Sequence, residues 1–133
     1  MGRGEGNRRD QINRVTSMKR IQQVSSADFS REVFFSPVPV VVDVFADWCP
    51  PCRAIAPVLE NLAGVYAGKV KFLKANIDEE PEIAEVYRVE AVPTLLFFQN
   101  GELVDRIAGI PPMPDFLAKL DAMARQPTQQ AGR

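Results

Sequence analysis

The run Val38-Pro39-Val40-Val41-Val42-Asp43-Val44-Phe45-Ala46 constrains this chain more than any other segment. It is β-branched and apolar without alternation, so as a strand it has no face to offer water. A strand buried on both faces needs cover on both, and helices supply it. The rest of the chain fits that demand. A short strand is expected over Arg20 to Val24, followed by a helix that Ser25 or Ser26 caps, that runs to about Phe35 and that Pro37 ends. Beyond the central strand, Ile55, Val58, Leu59, Leu62, Val65 and Tyr66 recur at helical spacing in a helix that starts just after Cys49 and carries Pro57 as a kink. Val70 to Ala75 reads as a strand, Pro81 to Tyr87 as a short helix and Thr94 to Gln99 as a strand. Asn100-Gly101 then turns the chain into an antiparallel partner over Glu102 to Ile107, and Met113 to Ala124 closes as an amphipathic helix. The order β-α-β-α-β-α-β-β-α implies an α/β fold, a central mixed sheet flanked by helices on both faces.

A chain of 133 residues supports one such domain, with roughly two-thirds of its unfolded surface buried. Residues 1–17 have no apolar periodicity and are expected to be a disordered extension. Residues 18–125 then form the domain, and residues 126–133 a disordered tail. The first twenty residues hold six basic and two acidic side chains, a surplus of +4 that leaves −5 for the remainder of a chain whose total is −1. A nucleic-acid or membrane role would rest on that segment alone, so neither partner is expected. No stretch approaches the ~18 apolar residues of a membrane span, and the first twenty residues lack the apolar core of an export signal. A soluble, cytoplasmic monomer is the expectation.

There are two cysteines and no histidine. That removes Ser-His and Cys-His nucleophile pairs, and two thiols fill only half of a tetrahedral zinc site, so no metal is expected. The cysteines stand as Trp48-Cys49-Pro50-Pro51-Cys52-Arg53, where a buried strand meets a helix. Residues three apart on a helix share a face at about 5 to 6 Å between Cβ atoms, close enough for a disulfide that opens and closes. Cys49 falls at the N-cap, where the helix dipole and free backbone N–H groups favour a thiolate; it is the expected nucleophile. Cys52, one turn inside, is shielded as a thiol until it resolves the mixed disulfide. A plain structural disulfide and half a metal site are the alternatives, and neither needs a helix N-terminus. Asp43 interrupts the apolar strand, so its burial should raise its pKa by disfavouring the charged form; the alternative is a strand-end carboxylate that reaches water.

The segment Val42-Asp43-Val44-Phe45-Ala46-Asp47-Trp48-Cys49-Pro50-Pro51-Cys52-Arg53 resembles the active-site segment of the thioredoxin family. The resemblance extends from about Met18 to Ala124 and includes Asn76-Ile77-Asp78, Val92-Pro93-Thr94, and Asn100-Gly101 followed by Ile107-Ala108-Gly109. It implies a thioredoxin fold. It also implies that Pro93 follows a cis peptide bond beside the cysteines, that Trp48, Pro51, Val92, Pro93, Gly109 and Ile110 form an apolar rim for a substrate peptide, and that Asp43 takes a proton from Cys52 during resolution. Lys74 matches the family's lysine that approaches this acid. Two departures lie close to the chemistry: Pro50 replaces a glycine, which tunes the redox potential, and Phe45 replaces a tryptophan. The implied activity is reduction of protein disulfides by dithiol-disulfide exchange. Clients are disulfide-containing proteins, electrons come from a flavin-dependent thioredoxin reductase using NADPH, and no cofactor binds the chain itself, which has no Gly-rich dinucleotide fingerprint or P-loop. A protein-binding module that leaves its dithiol idle, or an oxidase or isomerase of the same fold, is the competing reading.

Overall fold

A computed structural model describes residues 21–125. The expected disordered segments, 1–17 and 126–133, and the Arg20 end of the first strand lie outside them. The elements are β1 (Gln22–Gln23), α1 (Ser30–Phe34), β2 (Val40–Phe45), α2 (Pro50–Val65), β3 (Lys71–Asn76), α3 (Pro81–Val86), β4 (Thr94–Gln99), β5 (Glu102–Ala108) and α4 (Met113–Arg125). They follow the expected order. The sheet order is β1-β3-β2-β4-β5, with β1, β3 and β2 parallel and β4 and β5 each antiparallel to their neighbour. The Asn100-Gly101 turn has φ of 53° and 82°, the paired positive values that a two-residue hairpin needs and that Asn and Gly accept readily.

Successive strand residues point to opposite faces. Val41 of β2 therefore packs with Leu95, Phe97, Ile55, Leu59, Leu62, Phe116 and Leu120 in a core under α2 and α4. Val40, Val42 and Val44 pack with Leu96, Phe98, Phe29, Val33 and Ile83 under α1 and α3. The same alternation puts Asp43, two residues beyond Val41, on the α2 face. The buried stripe of α2 is Cys52, Ile55, Leu59 and Leu62, at steps of three and four. Val58 and Val65, assigned to that stripe from their apolar character, lie off it and are exposed. The helix runs through Pro57 from Pro50 to Val65.

The first helix differs most from expectation. Ser25 does cap, its Oγ accepting the Asp28 N–H at 3.1 Å. Only a bent turn follows, however, and then a wide π-helical turn over Ser30–Phe34 closed by the Phe35 N–H on the Ser30 carbonyl at 3.1 Å. The wider turn brings Phe29 and Phe34, five residues apart, into an edge-to-face pair at 5.6 Å, and both rings also meet Phe98. On an α-helix, residues at that spacing diverge.

Candidate active site

Cys49 ends the loop after β2 in extended conformation (φ −97°, ψ 110°) and is the N-cap of α2. Its Sγ accepts the Cys52 N–H at 3.2 Å. Pro50 and Pro51 open the helix, where a missing N–H costs nothing because none of the first four has an intrahelical partner. The first turn carries no acidic side chain, so the positive end of the helix dipole is left to the sulfur. Cys49 and Cys52 form a disulfide with their Cα atoms 5.2 Å apart. Each is 3% exposed, so depth does not separate them. Their surroundings do. Cys49 Sγ lies 3.6 Å from the Val92 carbonyl oxygen, beside exposed Trp48 and Pro50. Cys52 instead lines a cavity of about 120 Å³ together with Asp43, Phe45, Asp47, Arg53 and Lys74.

Asp43 is 6% exposed, in the middle of β2, and its Oδ1 has no hydrogen-bond partner among the described residues. The strand-end alternative does not hold. Burial pushes its pKa up to about 7, and the positive charge of Lys74 opposes that rise. Asp43 and Lys74 are direct neighbours in the parallel β2–β3 register. The Lys74 ammonium sits 5.5 Å from the centre of the Phe45 ring, so the residue that replaces a tryptophan still offers the lysine an aromatic face. An acid half-ionised near neutrality, sharing a cavity with Cys52, can accept a proton and return it.

Of the residues expected at the rim, Val92 lies against Cys49. The Val92–Pro93 peptide bond is cis, Pro93 is buried, and the Thr94 hydroxyl donates to the Ala91 carbonyl at 2.6 Å, tying the turn that presents Val92. The Pro93 carbonyl accepts the Gly109 N–H at 2.7 Å. A Cβ on Gly109 would meet nothing within 4 Å, so its φ of +84° is what favours glycine there. Ile110 follows, 51% exposed, and Pro51 is exposed on the first turn of α2. Trp48 is 65% exposed and its indole N–H donates to Asp78 Oδ2 at 2.9 Å. The sequence reading passed over Asp78 and Asn76 as individual residues, although both stand in the Asn76-Ile77-Asp78 motif. Buried Asn76 accepts the Asp78 N–H at 2.9 Å and its own amide reaches Asp47 Oδ2 at 3.4 Å, linking the loop after β3 to the loop that carries Cys49.

Among the described residues no group of three or more His, Cys, Asp or Glu side chains is placed to hold a metal ion, and no helix is long and apolar enough to cross a membrane. The arrangement presents a dithiol–disulfide pair with a helix dipole on one sulfur, a proton acceptor behind the other and an apolar surface in front.

Residues 20–122 match the family model described as Thioredoxin. The chain is 44% identical over 95 residues to thioredoxin 1 of Nostoc sp., covering 71% of this chain and 89% of the relative. It is 41% identical to the thioredoxin of Synechocystis sp. over 78% of this chain and 97% of the relative, and 41% identical to an M-type chloroplastic thioredoxin of Pisum sativum over 79% of this chain and 61% of the relative.

Proposed function

This chain belongs to the thioredoxin family and is a thiol-disulfide oxidoreductase that reduces protein disulfides; from that premise we propose that Cys49 attacks, Cys52 resolves and Asp43 handles the proton. The observation that carries the assignment is the Cys52 N–H donating to Cys49 Sγ at the start of α2, which stabilises negative charge on that sulfur. In the reduced protein the Cys49 thiolate attacks one sulfur of a client disulfide, forming a mixed disulfide and releasing the other client sulfur as a thiolate. The Cys52 thiol gives its proton to the Asp43 carboxylate and attacks Cys49 Sγ, forming the Cys49–Cys52 disulfide and releasing the second client sulfur. The client gains two electrons and the dithiol loses them. Lys74 holds the charge of Asp43 in reach of the cavity, and Trp48, Pro51, Val92, Pro93, Gly109 and Ile110 receive the client chain. Pro50 adjusts the potential.

Thioredoxin reductase returns the electrons in this reading, and the working unit is a cytoplasmic monomer of residues 18–125. The M-type relatives are named chloroplastic, which makes the compartment the first thing to check by imaging a tagged full chain. The non-catalytic clamp and the oxidase or isomerase readings are not favoured, because the cysteine pair is intact and the relatives are named thioredoxins. The order of attack is tested by trapping. Cys52→Ser incubated with cell extract should accumulate mixed disulfides through Cys49, whereas Cys49→Ser should accumulate almost none by mass spectrometry. Equal trapping by both variants would remove the division of roles.

A further inference from the structure

Two segments that adjoin Cys49 carry exposed acidic residues. In the first, the Trp48 indole donates to Asp78 at 2.9 Å, which fixes a carboxylate beside the exposed ring, and Glu79 next to it is also exposed. The second is the segment whose Val92 carbonyl oxygen lies 3.6 Å from Cys49 Sγ. Glu90 stands two residues upstream, exposed and without a hydrogen bond or ion pair among the described residues. Two residues of chain span at most ~7 Å, so the Cα atoms of Glu90 and Val92 are no farther apart than that. Three basic side chains nearby are held by other partners: Arg53 donates to the Asp47 carbonyl at 3.0 Å, Lys74 lies over Phe45, and Arg106 donates to the Arg88 carbonyl at 3.3 Å.

We propose that Glu90, with Asp78 held beside Trp48, makes this chain select client disulfides whose neighbouring residues are basic. The proposal rests on the reading of Cys49 as the attacking sulfur with the client chain lying along Val92. A client sulfur arriving at Cys49 carries its sequence neighbours to within ~8 to 10 Å of Glu90. At that separation in water, unit charges alter the rate of a productive encounter about 1.7-fold at ~20 mM salt, and almost not at all once the Debye length falls below the distance. Exchanging a basic for an acidic neighbour counts the effect twice, giving Glu90 about a threefold share of the preference.

The test uses three disulfide-bridged peptides that differ only in whether the residues beside the cysteines are lysine, serine or glutamate. Second-order rate constants are measured with the dithiothreitol-reduced full chain at ~20 mM and ~500 mM salt. The wild type should reduce the lysine peptide fastest and the glutamate peptide slowest. Glu90→Gln should lower that ratio about threefold and Glu90→Lys about tenfold, both with the serine peptide unchanged, and high salt should flatten all three proteins. Glu102→Lys makes the same change in net charge at the opposite end of the sheet, where Glu102 pairs with Gln99, and should leave the ratio as in wild type. If Glu90→Lys keeps the wild-type ratio while reducing the serine peptide normally, the selectivity proposal is overturned and the active-site reading stands. If the wild type reduces none of the peptides, the active-site reading fails and the proposal falls with it.

Discussion

At the C-terminal end of α2 the loose groups are tied. The Tyr66 N–H reaches the Leu62 carbonyl at 2.9 Å, the N–H groups of Lys69 and Val70 return to the Tyr66 carbonyl at 2.8 and 2.9 Å, and the Tyr66 hydroxyl donates to Asp121 of α4 at 2.5 Å. At the N-terminal end, one helix length of 16 residues or roughly 24 Å away, the first turn holds two prolines and no acid, and a sulfur receives the Cys52 N–H. One end is finished by the protein itself; the other leaves its dipole for a reacting atom. A helix anchored firmly at one terminus can hold the other in an electrostatically incomplete state, which separates stability from reactivity along a single element.

The largest expected effect breaks the anchored end. Leu62→Ala removes a buried side chain from the core under α2 and α4 and should cost about 3 to 4 kcal/mol in denaturant melts, with the rate constant for a peptide disulfide within about twofold of wild type. A comparable loss of rate would show that the two ends are coupled. Asp43→Asn should do the reverse under the reactive end. The Asp43 pKa of about 7 lies above its ordinary 3.8, so the folded protein holds this proton more tightly than the unfolded chain. Its contribution is fully present below about pH 4 and is lost at about 1.4 kcal/mol per pH unit as the pH rises to about 7. Asp43→Asn should therefore match wild-type stability near pH 4 and exceed it at pH 8 by up to about 4 kcal/mol, while disulfide turnover at pH 8 falls about tenfold or more. Equal stability at both pH values would contradict the buried-acid account.

A smaller effect is expected from Tyr66→Phe, which deletes only the hydrogen bond to Asp121. It should cost about 1 kcal/mol and leave the redox potential alone. The smallest concerns Pro50, which sits inside the first turn of α2 although Pro51 follows it and disfavours helical geometry there. By stiffening the open dithiol, Pro50 lowers the entropy lost on ring closure, worth about 0.4 to 1 kcal/mol. Pro50→Gly should then raise the potential by roughly 10 to 20 mV in equilibration against glutathione. A value equal to or more negative than wild type would refute the entropic account.

The sequence was most legible where one residue pattern has one structural solution. Val40–Phe45 emerged as the central strand because continuous β-branched burial needs cover on both faces, and Asn100-Gly101 turned as a hairpin because both residues accept positive φ. Cys49 at the N-cap followed from strand and helix periodicities meeting there. What stayed hidden depends on partners far apart in the chain. The wide turn of α1 follows from rings that meet Phe98, some sixty residues on, and no local propensity encodes that. The exposure of Val58 and Val65 depends on which face of α2 the sheet takes. Lys74 was singled out through a family resemblance, but its place opposite Asp43 is a matter of strand register. Trp48 and Asp78 meet only because two loops emerge at the same end of the parallel strands.

The two margins of the sheet bear on how such a reductant survives its own clients. Opening a disulfide loosens a chain and frees backbone that seeks a strand to join, and an unpaired sheet edge is the natural template. Among the described residues one margin, β1, is two residues long. The other, β5, is seven residues long, but it is kinked against β4 by a register shift at Phe97/Phe98 and studded with Glu102, Asp105 and Arg106, and Lys119 is paired to Asp105 at 2.6 Å. Shortness on one side and charge with irregularity on the other make both margins poor seeds for aggregation, so the molecule can work among sticky, half-released polypeptides without being recruited into them.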